Sequence, residues 1–140
     1  MAILPGKETM APDPTLESVM ACARAAADKR ATSPVVLDIR GLSGFADYFL
    51  IVSGSSDRRV QAIAEAMLAA MEERGRRPIG LEGMREGRWV LVDFGDWVAH
   101  VFYEEVREFY DLEGLWFDAP RIEIPAEVTE PRRAATGVGG

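Results

Sequence analysis

The chain has 140 residues, 48% of them hydrophobic, and a formal net charge of −7 at pH 7. This length and composition predict one domain with its own hydrophobic core. No apolar run approaches the roughly 20 residues of a membrane-spanning helix, and the first residues lack the pattern of a secretory signal. One cysteine, Cys22, excludes an intramolecular disulfide and a multi-cysteine metal site. We therefore expect a cytoplasmic protein.

Composition divides the chain into three parts. Residues 1–12 contain two prolines and a glycine without any period, which predicts a flexible N-terminal arm. Residues 13–124 carry the periodic apolar patterns of a folded domain. Residues 125–140 are polar, rich in glycine and alanine, and aperiodic, which predicts a disordered C-terminal tail.

The first half of the folded part alternates helices and strands. The predicted elements are a helix from an Asp13 cap to about Arg30, strands over 35–39 and 47–53, a second helix ending at Gly75, and a weak edge strand over 76–81. Ser55 or Ser56 can cap the second helix, since a serine oxygen accepts from free N–H groups of the first turn. Pro78 weakens the edge strand because it cannot donate a hydrogen bond to a neighbour.

A β-hairpin is predicted around Gly95-Asp96, which lies between two apolar runs of strand length. Glycine tolerates the positive φ that a two-residue hairpin turn requires. If Phe94 and Trp97 flank the turn, the cross-strand pairs run from Asp93 with Val98 to Trp89 with Phe102. Side chains alternate across a strand, so these pairs divide between two faces.

The two faces of the hairpin differ in composition. One is wholly apolar and is predicted to line the core: Val90, Val92, Phe94, Trp97, Ala99 and Val101. The other mixes large aromatic residues with a carboxylate and the only histidine: Trp89, Leu91, Asp93, Val98, His100 and Phe102. This second face is either a recognition surface or a second buried face beneath a helix, with His100 hydrogen-bonded.

After Tyr103 the chain is predicted to form a turn or short helix through Tyr110 to Trp116, which Ala119-Pro120 ends. Ile122 and Ile124 then add a last extended contact. The order of elements predicts an α/β fold: a single domain with one mixed β-sheet flanked by helices.

The negative charge is concentrated in residues 89–118. This segment holds eight acidic residues and a single base, Arg107, while the rest of the chain is balanced. Such a segment disfavours direct binding to a phosphate backbone and suits a basic protein partner. A solvated acidic edge is the alternative, but the interleaved aromatic residues favour a binding surface.

Enzymatic motifs are incomplete. The sequence has neither a phosphate-binding loop nor a dinucleotide-binding glycine motif. Gly54-Ser55 is similar to the entrance of nucleotidyltransferases, which also need an Asp-x-Asp/Glu pair to hold magnesium. Glu65-Ala66-Met67 stands downstream instead, so that pair is missing. His100 alone permits no two-histidine metal site, and nothing in its spacing favours a catalytic triad. We expect no enzyme, cofactor or metal.

Several spaced motifs occur in a recognisable order: Asp47-Tyr48-Phe49, Gly54-x-Ser56-Asp57, Glu82-Gly83, and the segments 89–95, 100–102, 107–110 and 111–116. These motifs resemble the Iojap family, the ribosomal silencing factors RsfS. The resemblance covers about residues 16–119. Two departures are mild: Trp97 stands where the family commonly has valine or isoleucine, and Gly114 where it has a larger residue.

The resemblance implies a nucleotidyltransferase-like fold without the catalytic acids. It further implies binding to the large ribosomal subunit through ribosomal protein L-fourteen, which blocks joining of the small subunit, and often a homodimer. Direct nucleic-acid specificity and membrane binding are not expected. The contact residues carried over are Trp89, Leu91, Asp93, His100, Phe102, Tyr110, Glu113, Leu115 and Trp116. The alternatives are an active nucleotidyltransferase-like enzyme and a generic acidic adaptor for another basic protein.

Overall fold

The computed structural model describes residues 13–130, which form a six-stranded mixed sheet with helices on both faces. The elements are α1 (Pro14–Asp28), β1 (Thr32–Asp38), β2 (Tyr48–Gly54), α2 (Asp57–Glu73), β3 (Gly80–Glu82), β4 (Trp89–Asp93), β5 (Trp97–Tyr103), α3 (Glu104–Tyr110), α4 (Leu112–Leu115), β6 (Arg121–Ile122) and α5 (Ala126–Thr129). The strand order is β3-β4-β5-β2-β1-β6. Of these six strands, only β2 and β5 are parallel neighbours. The predicted single α/β domain with a mixed sheet is confirmed.

Both long helices begin at the predicted caps. Asp13 accepts hydrogen bonds from the N–H groups of Thr15 and Leu16, and the Ser56 hydroxyl accepts one from Arg59 N–H at 3.0 Å. These contacts satisfy N–H groups that the helix itself leaves free. Among the described residues, no helix is long and apolar enough to span a membrane.

The β4–β5 hairpin has the predicted register. Asp93 pairs with Val98 at one end and Trp89 with Phe102 at the other. Gly95 has a φ of 96°, and Phe94 N–H donates to the Trp97 carbonyl at 3.0 Å. The turn residue therefore has the left-handed backbone that glycine adopts without strain.

The two faces of the sheet carry separate cores. The apolar hairpin face packs with the long helices α1 and α2 in the larger core, as predicted. Cys22 is buried in this core, and desolvation raises the pKa of its thiol to about 12, so it is a packed side chain rather than a nucleophile. The opposite face carries a smaller core around Phe49, Ile51 and Phe102, against which parts of α3 and α4 pack.

Two predicted boundaries are wrong. The first predicted strand starts three residues earlier, at Thr32, which already pairs with Ser53 of β2. A bulge between Thr32 and Val35, with a φ of 53° at Ser33, leaves Pro34 outside the ladder of paired residues. The predicted disordered tail is helical over Ala126–Thr129, since Val128 gains buried apolar contact in the larger core. The predicted arm over 1–12 and the rest of the tail, 131–140, lie outside the described residues.

Candidate functional site

Arg107, the only base in the acidic segment, joins α3 to the rest of the fold. One of its terminal nitrogens donates to the Ser33 carbonyl at 2.7 Å and to the Ser53 hydroxyl at 2.8 Å. Its Nε and the other terminal nitrogen donate to the Glu113 carboxylate at 3.1 and 2.8 Å. This two-fold contact holds the pKa of Glu113 below its ordinary value. Glu113, a predicted partner contact, is thus engaged within the chain.

Asp111 makes the corner between α3 and α4. Its backbone has a φ of 48°, in the left-handed region, and its N–H donates to the Arg107 carbonyl at 2.8 Å. Its side chain accepts from the N–H of Gly114 at 3.2 Å and so caps α4. A Cβ at Gly114 would collide with that carboxylate. The glycine at this position therefore leaves room for the cap.

An aromatic cluster lies under α3. Trp89 Nε1 donates to His100 Nδ1 at 3.2 Å. The Trp89 ring also contacts Phe102 and Tyr110, with centroids 4.8 and 5.0 Å apart. His100 is 4% exposed, and burial lowers its pKa to about 4. The histidine is therefore neutral and serves as the acceptor for Trp89.

The nine predicted contact residues differ in accessibility. Five share one face of β4 and β5, and four lie on α3, on α4 or at its C-terminal end. Tyr110 and Leu115 are exposed, whereas Trp89, Leu91, Asp93, Glu113 and Trp116 are partly buried. His100 and Phe102 are buried among aromatic rings. For those two, the interpretation as a second buried face describes their position in the free chain.

Sequence reasoning missed two exposed side chains, Phe109 and Phe117. Both lie among the interleaved acidic and aromatic residues that predict a binding surface in this segment, so the same pattern could have identified them. We define the acidic aromatic face as the exposed side chains of residues 104–118: Phe109, Tyr110, Leu115, Phe117, Glu104, Glu105, Glu108, Asp111 and Asp118. Because Arg107 is buried, residues 104–118 themselves expose carboxylates and large apolar groups but no cation, although the exposed Arg88 and Arg121 border this face.

The groups that this surface exposes are aromatic rings and carboxylates. Residues 13–130 hold no group of three or more histidine, cysteine or acidic side chains placed to ligate a metal ion. Exposed aromatic rings supply contact area at a low cost in side-chain entropy, and the carboxylates beside them can pair with lysine or arginine.

Comparison with known proteins identifies the family. The family model "Ribosomal silencing factor during starvation" matches residues 12–138. Ribosomal silencing factor RsfS of Bacillus subtilis is 48% identical over 109 residues, which cover 77% of this chain and 92% of that protein. The chloroplastic protein Iojap of Zea mays is 32% identical over 123 residues, covering 81% of this chain and 54% of that protein.

Solved structures agree with this assignment. A crystal structure from Chromobacterium violaceum superposes with a TM-score of 0.71 at 31% identity, covering 83% of this chain and 96% of that one. A crystal structure from Bacillus halodurans gives a TM-score of 0.69 at 41% identity, covering 77% and 98%. The chain therefore belongs to the family of ribosomal silencing factors, RsfS.

Proposed function

We propose that this protein binds the large ribosomal subunit at ribosomal protein L-fourteen and so blocks joining of the small subunit. Membership of the silencing-factor family supports the proposal. The observation that carries it is the acidic aromatic face, which combines exposed rings with five carboxylates, while the one base of the same segment, Arg107, is buried. Ribosomal proteins are basic, so such a face has complementary charge for one of them.

The proposed contacts are the exposed members of this face together with the accessible edge of the hairpin. Phe109, Tyr110 and Leu115 supply apolar area, and Leu91 and Asp93 extend the surface along β4. His100 and Phe102 take a supporting role in this proposal, because they hold the rings above them from inside the fold. Trp89 belongs to both sets, since it is half-buried and contacts Tyr110.

The proposed mechanism is steric. A protein that occupies a surface where the two subunits meet prevents their association without catalysing a reaction. Translation then falls with the number of joined ribosomes. The proposal includes action in the cytoplasm and a homodimer, as the family resemblance implies. Light scattering of the purified chain measures its oligomeric state.

Sedimentation with purified subunits tests the proposal. The full chain is incubated with large or small subunits and pelleted through sucrose, and subunit joining is followed by light scattering. We expect the protein to pellet with large subunits alone and to lower the yield of joined ribosomes. Equal recovery with both subunits, or joining that proceeds unchanged at saturation, would contradict it.

Replacing Phe109 with alanine should weaken binding to large subunits by about 2 kcal/mol, roughly 30-fold, because a buried aromatic contact at an interface centre has this size. Its side chain is 80% exposed in the free protein, so the free energy of unfolding should change by less than about 0.5 kcal/mol. Quantitative co-sedimentation and urea denaturation measure the two effects.

Phe45→Ala is the matched control. Phe45 is 76% exposed but precedes β2. Because β2 and β5 are parallel, the start of β2, near Phe45, and the end of β5, where α3 begins, lie at opposite ends of the sheet. The control should bind like the unchanged protein. Equal losses for the two variants would show that exposed apolar area in general, rather than the part of this face on α3, determines binding.

A further inference from the structure

A cavity of about 540 Å³ opens between α3 and the loop that leads into β4. Its apolar wall is formed by Trp89, Val106, Phe109 and Tyr110. The Trp89 and Tyr110 rings lie 5.0 Å apart, and the Tyr110 and Phe109 rings meet edge to face at 5.1 Å. These rings form one continuous aromatic surface that faces an open space.

Two carboxylates stand at the opposite walls of this cavity. Glu86 comes from the loop and Glu105 from the first turn of α3. Both are exposed, and neither forms an ion pair with any residue between 13 and 130. Arg88 also borders the cavity, but its guanidinium carbon lies 5.4 Å from the centre of the Tyr103 ring. The cavity is therefore lined by two carboxylates that form no ion pair and by one cation, which lies over the Tyr103 ring.

The loop wall is fixed before any partner binds. Gln61 of α2 donates from its side-chain amide to the carbonyls of Met84 and Arg85, at 3.0 and 2.9 Å. Gly83 has a φ of 83°, and a Cβ there would collide with the Trp89 carbonyl oxygen. The glycine thus allows the loop to pass close to β4. A wall held in this way loses little conformational entropy on binding.

We propose that this cavity receives a cationic side chain from the basic partner. This proposal rests on the proposed function and names the chemistry of the central contact between the two proteins. The aliphatic part of the side chain packs on Val106 and Phe109. The positive group lies over the Trp89 and Tyr110 rings, where a cation–π interaction is favourable, and pairs with Glu86 and Glu105. Arginine fits better than lysine, because its planar group stacks on a ring while its N–H groups reach both walls.

A titration without ribosomes tests the cavity directly. The full chain, labelled with nitrogen-15, is titrated with N-acetyl-arginine amide, and the Trp89 indole N–H resonance is followed by NMR. N-acetyl-citrulline amide is the control, since it has nearly the same shape without the charge. We expect a saturable shift in the millimolar range with arginine and a shift several-fold smaller with citrulline. Equal shifts, or no shift with arginine, would overturn the proposal.

Charge-neutral variants give the second test. In the double variant Glu86→Gln with Glu105→Gln, the preference for arginine over citrulline should disappear, and affinity for large subunits should fall about tenfold with a weaker dependence on salt. Glu72→Gln with Glu73→Gln removes the same charge from exposed positions at the end of α2, on the other face of the sheet. This control should bind large subunits within about twofold of the unchanged protein.

The two tests separate the two proposals. If the unchanged protein does not bind large subunits, the proposed function fails, and the arginine titration still decides whether the cavity accepts a cation. If large subunits bind but the double variant matches its control, the cavity proposal is wrong and the proposed function stands.

Discussion

Replacing Arg107 with methionine should lower the free energy of unfolding by about 3 kcal/mol. Methionine keeps much of the apolar stem but removes every donor, so Glu113 loses both hydrogen bonds of its carboxylate. The Ser33 carbonyl and the Ser53 hydroxyl lose the same partner. Removing one member of a mostly buried charged pair costs roughly 3–5 kcal/mol, and the lower value applies because Glu113 is partly accessible.

Urea denaturation of Arg107→Met and Arg40→Met measures this difference. Arg40 also forms an ion pair with a carboxylate, Asp38, at 2.7 Å, but its side chain is 54% exposed against 10% for Arg107. An exposed pair contributes about 1 kcal/mol or less, so Arg40→Met is the control for loss of an exposed ion pair, together with the contact of its guanidinium with the Tyr48 ring. Similar losses in the two variants would contradict the structural role given to Arg107.

The hairpin register could be predicted because two local signals agree on it. Gly95 fixes the turn, and the alternation of apolar residues fixes the faces, so a shift of one residue would expose the whole core face. The helix caps at Asp13 and Ser56 were predictable for a similar reason. Each is a short polar side chain next to a periodic apolar stripe, and its partners lie within three residues along the chain.

The alternation of side chains along the hairpin could not predict that helices cover its second face. A face that mixes Trp89 with His100 fits either a surface or a buried layer, and the outcome depends on where α3 and α4 pack. That packing depends on Asp111, whose left-handed backbone turns α3 into α4, and on Arg107, whose partners lie up to 74 residues away. Non-glycine residues rarely adopt positive φ, and long-range partners leave no periodic signal.

Val128 illustrates the same limit at the end of the chain. The segment from Pro125 is mostly polar and aperiodic, which predicts disorder, yet Val128 packs into the larger core next to α1, and Ile124 just before it packs against the same core. The sequence also did not distinguish the exposed Phe109 from the partly buried Trp116, because both lie in the same acidic and aromatic pattern. The contact of Trp116 with the Phe49 ring, 5.3 Å away, makes the difference.

Folding stability should fall as the pH is lowered from 7 to 5, by about 2 kcal/mol, because of His100 alone. Burial lowers the pKa of this histidine from 6.5 to about 4 in the folded protein. Its Nδ1 also accepts from Trp89 and so has no place for a second proton. The unfolded chain binds the proton below pH 6.5 and the folded protein does not, so protonation favours unfolding across this window. Each pH unit between the two pKa values costs at most about 1.4 kcal/mol.

The carboxyl groups do not obscure this effect. Asp13, Asp38, Asp96 and Glu113 have lowered pKa values in the folded protein. Their stabilising contribution is present above their ordinary pKa values and is lost as the pH falls towards the folded ones, mostly below pH 4.5. Between pH 7 and 5 the histidine therefore dominates.

Urea denaturation at pH 7, 6 and 5 of the unchanged protein and of His100→Gln measures the slope. Glutamine can still accept from Trp89 but does not titrate, so the variant should lose stability at pH 7 yet show an almost flat profile down to pH 5. Since the chain has one histidine, its imidazole C–H resonance in NMR is unambiguous and should titrate only near pH 4. Parallel profiles for the two proteins, or an imidazole that titrates near 6.5, would show that the ring is accessible to water and that the aromatic cluster under α3 is open.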